Sequence, residues 1–244
     1  MVAGDPHYRT SYLKQVSRLR KQNKNQTSAM ELAIGGDFEQ IGLLERALLL
    51  SEGLQPDAFL IDVGCGSGRL AVQLADFLKG PYLGTDVVPD LLEHAARLVA
   101  RRDWRFEEVT ELAIPAGDET ADMVCFFSVM THLRHEESYR YLQEARRVLR
   151  VGGKIVFSFL DFAVEGHWPV FEMNLKEIGS GDVLNQFIDP AAIPIWADHL
   201  DLELEAIYST DVPHIPLSAE ALPKITQRDG NLGWLGQSVA VLVR

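Results

Sequence analysis

A short stretch of this sequence combines acids and glycines in a spacing that suits the binding of a nucleoside. The apolar run 59–63 contains Asp62 and leads directly into the glycine-rich turn 64–68, after which an amphipathic segment begins. A second apolar run ends at Asp86. A strand, a tight turn and a helix in this order bring a nucleotide-like ligand to the carboxyl end of a parallel sheet, and an acid at the tip of the next strand can accept hydrogen bonds from both ribose hydroxyls. These residues predict an adenosine-bearing cofactor.

The residues around the turn distinguish two kinds of adenosine cofactor. Dinucleotide-binding folds use G-x-G-x-x-G/A, in which the last small residue permits close packing of helix and strand, but here Arg69 stands at that position. Asp62 would repel a pyrophosphate, whereas it suits a ligand with a positive ammonium or sulfonium group. The pattern D-x-G-x-G-x-G resembles motif I of the class I S-adenosylmethionine-dependent methyltransferases, and Asp86 resembles the ribose-binding acid of their motif II. The resemblance implies S-adenosylmethionine as the cofactor and S-adenosylhomocysteine as the product.

Seven apolar runs bounded by turn residues predict strands. They span residues 59–63, 81–87, 105–109, 121–129, 154–160, 202–210 and 237–244. Amphipathic segments separate the first five runs, which predicts a parallel sheet with helices on both faces; the helix before the fifth strand is expected to end at Gly152 and Gly153. No crossover helix is evident between the last two runs, which predicts an antiparallel pair. The expected fold is α/β, a Rossmann-like seven-stranded, mostly parallel sheet with an antiparallel last strand and a helical N-terminal extension, and it resembles the methyltransferase core.

The resemblance covers residues 58–162 well and implies a cofactor contact for several of them. The methionine end of the site is expected at Asp62, Gly64, Cys65, Gly66 and Gly68, the ribose at Asp86, the adenine at Val87, Thr110, Glu111 and Leu112, and the sulfonium near Ser128 and Val129. Related proteins often have an aspartate where Thr110 stands. We therefore expect main-chain groups and Leu112 to contact the adenine.

Two histidines are candidates for a catalytic base. Transfer of a methyl group from a sulfonium is an in-line displacement, so the protein must align the reacting atoms and exclude water, and a hydroxyl acceptor must also lose its proton. His132 follows Ser128 by four residues, and His167 lies among aromatic residues after the fifth strand. Either imidazole could instead hold the main chain of a loop. No cluster of metal-ligating residues is evident, so we expect no metal.

The parts outside the core are expected to determine the acceptor. We divide one domain of 244 residues into a helical extension (1–55), a cofactor-binding core (56–162), an acceptor-pocket insertion with a helix (163–200) and an antiparallel strand pair (201–244). The extension either closes over the cofactor or packs on the sheet edge. The stretch 163–188 is too long and too apolar for a simple connection, which favours an acceptor pocket, although a dimer contact would bury the same residues.

Composition limits the possible partners. The formal net charge of −12 argues against a nucleic-acid substrate, because binding phosphates needs a positive surface. Residues 9–24 carry six lysines and arginines and no acid, which indicates a solvated helix face or a binding surface for an acidic partner.

We expect no membrane span and no signal peptide. Cys65 and Cys125 indicate neither a disulfide nor a metal cluster, which favours a cytoplasmic protein.

The sequence thus predicts a cytoplasmic methyltransferase that acts on a small molecule, preferably on a hydroxyl. It requires no partner other than the acceptor, although a homodimer is possible. Two other functions stay open: an NAD(P)-dependent oxidoreductase, and a non-catalytic protein that binds the cofactor and regulates a partner.

Overall fold

Seven strands form the central sheet of the chain. The computed structural model describes residues 6–22, 25–178 and 185–244, so parts of the predicted extension 1–55 and of the insertion 163–188 lie outside the described residues. The strands of the central sheet are β1 (Leu60–Val63), β2 (Tyr82–Asp86), β3 (Arg105–Glu108), β4 (Ala121–Phe126), β5 (Leu149–Phe159), β6 (Glu203–Tyr208) and β10 (Ser238–Val243). Their order is β3-β2-β1-β4-β5-β10-β6. The first five are parallel, and β10 runs antiparallel to both β5 and β6, as predicted.

Three short strands that the sequence analysis did not predict form a second sheet. They are β7 (Ile215–Pro216), β8 (Arg228–Asp229) and β9 (Leu232–Gly233), paired in the order β7-β9-β8. Each has two residues, which is too short for the alternation that predicts a strand. The connection between β6 and β10 is therefore a small folded unit.

Helices lie on both faces of the central sheet and before it in the chain. They are α1 (His7–Gln22), α2 (Gln26–Ala33), α3 (Phe38–Ser51), α4 (Arg69–Leu74), α5 (Pro89–Val99), α6 (His135–Val148), α7 (Trp168–Lys176) and α8 (Ala192–His199). Asp37 caps α3 by accepting a hydrogen bond from the Gln40 N–H at 2.8 Å, and Pro89 occupies the first turn of α5. Local sequence thus fixes where these helices begin.

The two faces of the sheet bury two separate apolar cores. Ile61 and Phe126 point into one core, whereas Leu60 and Cys125 point into the other. Successive side chains of a strand alternate between faces, so apolar residues at every position are expected for strands covered on both sides. Coverage of the sheet on both sides therefore explains why β1 and β4 are almost entirely apolar.

Two predicted strand boundaries, the end of β4 and the start of β5, differ from the structure by more than two residues. β4 ends at Phe126, and residues 127–129 form a loop in which Ser128 has a left-handed backbone (φ +58°). β5 begins at Leu149, so Gly152 lies within the strand and does not end the helix. Gly152 has φ +80° at an irregularity in the pairing of β4 with β5. The glycine pair was wrongly read as a helix end because a bulge and a helix end both favour glycine.

The N-terminal helices pack against the core domain. Val16 of α1 and Met30 of α2 share a small apolar cluster with Val88 and Leu91 of the α5 region. Polar contacts join α1 to the core: Arg9 pairs with Glu108 at 2.7 Å, Arg20 pairs with Asp90, and His7 Nε2 lies 2.9 Å from a carboxylate oxygen of Glu137. Part of the basic run 9–24 therefore binds acids of the same chain. Among the described residues, no helix is both long enough and apolar enough to cross a membrane.

Candidate active site

The glycine-rich turn is a close-packed link between β1 and α4. The N–H groups of Gly64 and Cys65 both donate to the Thr85 carbonyl, at 2.7 and 2.9 Å. Gly66 and Gly68 have φ of +55° and +89°, and a Cβ on them would lie 2.6 Å from Ile34 Cγ2 and 2.9 Å from Ala95 Cβ. Both positions need glycine for its backbone and for the space. The glycines thereby let the turn pack closely against Ile34 and α5.

Asp86 holds the turn from the tip of β2. One of its carboxylate oxygens accepts from the Gly66 N–H at 3.0 Å, and the other accepts from the Val88 N–H at 2.9 Å. The carboxylate lies deep in a cavity, although part of the residue remains accessible. Burial raises the pKa of Asp86 to about 6, and the main-chain N–H donors oppose that rise. A carboxylate here can accept further hydrogen bonds from a ribose diol.

Asp62 is the second carboxylate of the site and is almost completely buried, with 3% of its surface exposed. It accepts a hydrogen bond from the Tyr82 hydroxyl at 2.7 Å, and the Cys125 thiol lies 3.6 Å from its other oxygen. Burial raises the pKa of Asp62 to about 7, although these two donors favour the charged form. Such a carboxylate is stabilised in its charged form when a cationic ligand arrives.

A cavity with about 930 Å³ of empty space, partly open to solvent, lies over this turn; we call it the main cavity. Of the predicted cofactor contacts, it is lined by Asp62, Gly64, Cys65, Gly66, Asp86, Val87, Ser128 and Val129. Gly68, Thr110, Glu111 and Leu112 are absent from its lining. Gly68 instead meets α5, and Val109 takes the place expected for Thr110, which is exposed. The adenine contacts of Thr110, Glu111 and Leu112 stay predictions.

Two tyrosines of α1 also line the main cavity and were missed by the sequence analysis. Tyr8 and Tyr12 lie four residues apart, which places them on one face of the helix. The Tyr12 ring meets the His132 ring edge-on, with centroids 5.2 Å apart. The spacing signals a shared face, but only the packing of α1 on the core shows what that face covers.

His132 lies where the main cavity meets a second one. It ends the 3₁₀ turn Met130–His132 after β4, and it lines both cavities. The second cavity, which we call the side cavity, has about 820 Å³ of empty space, partly open to solvent. Ser128 also lines both cavities. Ser128 and His132 therefore border both cavities.

His167 occupies a different position. It is buried, with 3% of its surface exposed, and it lines neither cavity. Its Nδ1 accepts from the Asp161 N–H at 2.9 Å, and its Nε2 lies 3.2 Å from the Gly236 carbonyl, to which it can donate. One neutral tautomer satisfies both contacts. This geometry does not support the prediction of a catalytic His167, because the imidazole joins two loops through their main chains.

A buried ion pair forms part of the wall of both cavities. Arg69 donates to both carboxylate oxygens of Glu45, at 3.2 and 2.5 Å, and its remaining amino group donates to the Gly35 carbonyl at 3.1 Å. Arg69 points toward α3 and the turn after α2. The pair joins the N-terminal helices to the first residue after the glycine turn.

No group of three or more potential metal ligands occurs within residues 6–22, 25–178 and 185–244. Carboxylates at β1 and β2, a glycine turn without Cβ atoms, and apolar side chains such as Val87 and Val109 fit an adenosine with a cationic end. S-adenosylmethionine has this chemistry.

Comparison with known proteins points to the same chemistry. Residues 60–153, which run from β1 into β5 and include the glycine turn and Asp86, match the family model of a methyltransferase domain. The match covers the part of the chain that carries the sequence motifs, and S-adenosylmethionine is the cofactor whose chemistry fits this site.

The sequence similarity of the chain to known methyltransferases is moderate. It is 26% identical over 161 residues to a ubiquinone biosynthesis O-methyltransferase of Xanthomonas oryzae, a match that covers 62% of this chain and 64% of the relative. It is 32% identical over 118 residues to a malonyl-[acyl-carrier protein] O-methyltransferase of Hahella chejuensis, covering 46% and 39% of the two chains. The N-methyltransferase FrzE of Cladobotryum is also 32% identical, over 136 residues and 47% and 46% of the chains. The matches thus cover less than two thirds of these relatives.

Solved structures share the fold over most of the chain. Magnesium protoporphyrin IX methyltransferase of Synechocystis, with bound S-adenosylhomocysteine, has a TM-score of 0.63 at 15% identity over 98% of this chain and 96% of that one. A Haloferax volcanii protein described as a putative methyltransferase, in complex with the activator Trm112, has a TM-score of 0.64 at 17% identity over 97% and 96%. At these identities the likeness supports the fold.

Proposed function

We propose that this methyltransferase transfers a methyl group from S-adenosylmethionine to a hydroxyl of a small molecule. The observation that carries the proposal is the junction of the two cavities. The main cavity has the carboxylates and the turn that suit the cofactor, and it shares Ser128 and His132 with the side cavity. An acceptor in the side cavity would approach the sulfonium end of the cofactor past these two residues.

The proposed roles of the residues follow from their positions. The cofactor supplies an electrophilic methyl group on a positive sulfur. Asp86 holds the ribose through its carboxylate, and Asp62 lies at the cationic end of the ligand. His132 accepts the acceptor's proton on a ring nitrogen as the oxygen–carbon bond forms. Tyr8 and Tyr12 cover the main cavity and exclude water, which favours an in-line displacement.

A hydroxyl on a small acceptor fits the site better than a macromolecule. The side cavity is concave and lined mostly by apolar and neutral polar side chains, as small-molecule pockets usually are. Two of the three relatives described above are O-methyltransferases, although the third is an N-methyltransferase. An imidazole is a suitable base for a phenolic or enolic hydroxyl, whose proton must be removed as the bond forms.

The proposal is tested by incubating the purified protein with S-adenosylmethionine and small phenols, and by measuring S-adenosylhomocysteine and the methylated product. We expect product in which the methyl group is on oxygen. The Asp86→Ala variant serves as a control that should lose turnover at subsaturating cofactor. Methylation of an amine or a carbon in preference to hydroxyls would refute the choice of acceptor atom.

A further inference from the structure

Three polar side chains form a closed hydrogen-bond network in the wall of the side cavity. The Ser128 N–H donates to Ser158 Oγ at 2.8 Å, and the Ser158 hydroxyl donates to Gln237 Oε1 at 2.7 Å. The Gln237 amide then donates back to Ser128 Oγ at 3.1 Å. Ser128 follows β4, Ser158 lies near the end of β5, and Gln237 directly precedes β10. The network therefore joins the ends of three adjacent strands. We call it the Ser-Ser-Gln network.

The network leaves two donors unused on residues that line the side cavity. Ser158 donates its only hydroxyl hydrogen to Gln237, and Gln237 uses one of its two amide hydrogens on Ser128. The hydroxyl hydrogen of Ser128 and the second amide hydrogen of Gln237 have no acceptor among the described residues. Both residues line the side cavity. Two neighbouring neutral donors suit one oxygen of a ligand, because an oxygen has two lone pairs.

The backbone of Ser128 indicates that this position is not merely structural. A serine with φ +58° is uncommon, and strained residues of this kind cluster at functional sites. The Thr131 hydroxyl donates to the Ser128 carbonyl at 3.1 Å and holds the loop in this conformation. The loop thereby presents the Ser128 side chain where the two cavities meet.

Among the described residues, the charged side chains that line the side cavity pair with each other. Its only lysine, arginine, aspartate or glutamate side chains, among the described residues, are Glu45 and Arg69, which bind each other through two hydrogen bonds. The third guanidinium nitrogen of Arg69 donates to the Gly35 carbonyl. A carboxylate or phosphate in this cavity would lose water without gaining a counter-charge, and that is costly in a partly buried site. The rest of the wall includes Leu160, Val170 and Leu235.

We propose that the Ser-Ser-Gln network is the subsite that holds an uncharged oxygen of the acceptor, and that the enzyme selects neutral hydroxylated acceptors with an apolar body over carboxylated or phosphorylated ones. The inference rests on the proposed methyl transfer and specifies the class of its acceptor. Gln237 and Ser158 line the side cavity but not the main cavity, so they act on the acceptor and leave cofactor binding to other residues.

The experiment compares acceptors that differ only in charge. Methyl 3,4-dihydroxybenzoate and 3,4-dihydroxybenzoate present the same two phenols, the first neutral and the second anionic; pairs of hydroxyphenylacetates and hydroxyindole carboxylates with their methyl esters widen the set. For each pair, kcat/KM is measured from S-adenosylhomocysteine release, and the affinity for S-adenosylhomocysteine is measured by calorimetry. We expect kcat/KM to be roughly tenfold or more higher for each ester than for its acid, because the cavity offers the anionic acid no charge partner.

Variants of Gln237 separate binding from folding. In Gln237→Leu we expect kcat/KM for the esters to fall by about tenfold, mainly through KM, with the affinity for S-adenosylhomocysteine unchanged within about twofold. In Gln237→Lys a cation enters the cavity, and the preference for the ester should fall or reverse. The exposed Gln143→Leu on α6 is the matched control and should behave as the wild type.

The outcomes are distinct. Preference of the wild type for the acids, or an unchanged kcat/KM in Gln237→Leu, would overturn the subsite. Binding of S-adenosylhomocysteine without turnover of any ester would also overturn the assigned acceptor class, while the cofactor assignment stands. Failure to bind S-adenosylhomocysteine would instead reject the proposed function, and the subsite with it.

Discussion

At the scale of single residues, the site contains two carboxylates that burial keeps partly protonated near neutral pH. Burial raises the pKa of Asp86 to about 6 and that of Asp62 to about 7. An acid that faces a hydrogen-bond donor or a cation binds best in its charged form. As pH rises, cofactor affinity should therefore increase while the stability of the cofactor-free protein decreases. The charged carboxylates favour the ligand, but their burial without a ligand is costly.

Asp86 should make cofactor affinity depend on pH. At about pH 5, one unit below its pKa, roughly a tenth of the Asp86 carboxylates are charged, so we expect Asp86 alone to raise the Kd for S-adenosylmethionine roughly tenfold between about pH 8 and pH 5. The Asp86→Asn variant should bind ~1–3 kcal/mol more weakly at about pH 8 and lose this tenfold part of the dependence, while the part that comes from Asp62 remains. Calorimetric titrations across the range measure both. The exposed Asp57→Asn is the control, and an affinity in Asp86→Asn equal to that of the wild type would contradict the role of Asp86.

Asp62 should lower the stability of the cofactor-free protein as pH rises. Its folded pKa of about 7 exceeds the ~3.9 of an unfolded aspartate, so the native state holds more protons and the free energy of unfolding falls between about pH 4 and pH 7. Asp62→Asn should therefore be ~1–3 kcal/mol more stable than the wild type at about pH 8, and this gain should vanish near pH 4. Urea unfolding at both pH values tests this. A variant that is less stable at pH 8 would show that the charge is not costly.

His132 should act on the rate and not on cofactor binding. In His132→Gln we expect kcat to fall by ~100-fold or more, as for loss of a general base, with the affinity for S-adenosylmethionine unchanged. Rates are measured on a phenol that the wild type methylates. His199→Gln, at an exposed position at the end of α8, controls for the loss of an imidazole. Wild-type turnover in His132→Gln would leave only a structural role for this residue.

At the scale of elements, α1 and the residue that follows α2 line the main cavity beside the core. The core strands and the glycine turn supply its floor, and Tyr8 and Tyr12 of α1 supply part of its cover. Apolar contacts with α5 hold these helices, together with ion pairs that include Arg9–Glu108 and Arg20–Asp90. Binding and release of the cofactor therefore depend on how firmly α1 is held.

Loss of the ion pairs of α1 should weaken cofactor binding in a salt-dependent way. Exposed pairs contribute ~0.2–1 kcal/mol each, so we expect the Arg9→Ala, Arg20→Ala double variant to bind S-adenosylmethionine roughly two- to tenfold more weakly at low salt. High salt should narrow the difference from the wild type, because it screens the same pairs. Lys14→Ala, exposed on the same helix, is the control. An unchanged Kd at low salt would mean that apolar contacts alone hold α1.

The elements also show what the sequence could predict. Each strand of the central sheet came from a local run of apolar residues, and the turn with Asp62 and Asp86 came from local spacing. The cover formed by Tyr8 and Tyr12, and the pair Glu45–Arg69, depend on how distant helices pack. No local pattern encodes that packing, so the sequence analysis named Arg69 only as an obstacle to a dinucleotide.

At the scale of the whole molecule, the sheet order brings distant residues together. Ser128 and Gln237 are 109 positions apart, yet they hydrogen-bond because β10 inserts antiparallel beside β5. The sequence predicted an antiparallel last strand, but neither its place beside β5 nor the contact. His167, by contrast, has aromatic neighbours that looked like the wall of a pocket, whereas the fold turns it toward main-chain groups of two loops.

The central claim is that the main cavity binds S-adenosylmethionine, and parallel calorimetric titrations with S-adenosylmethionine and NADH at about pH 8 test it most directly. We expect S-adenosylmethionine to bind with a micromolar Kd and NADH not to bind, since Asp62 favours a cation and disfavours a pyrophosphate. Binding of NADH without S-adenosylmethionine would contradict the account and favour an oxidoreductase.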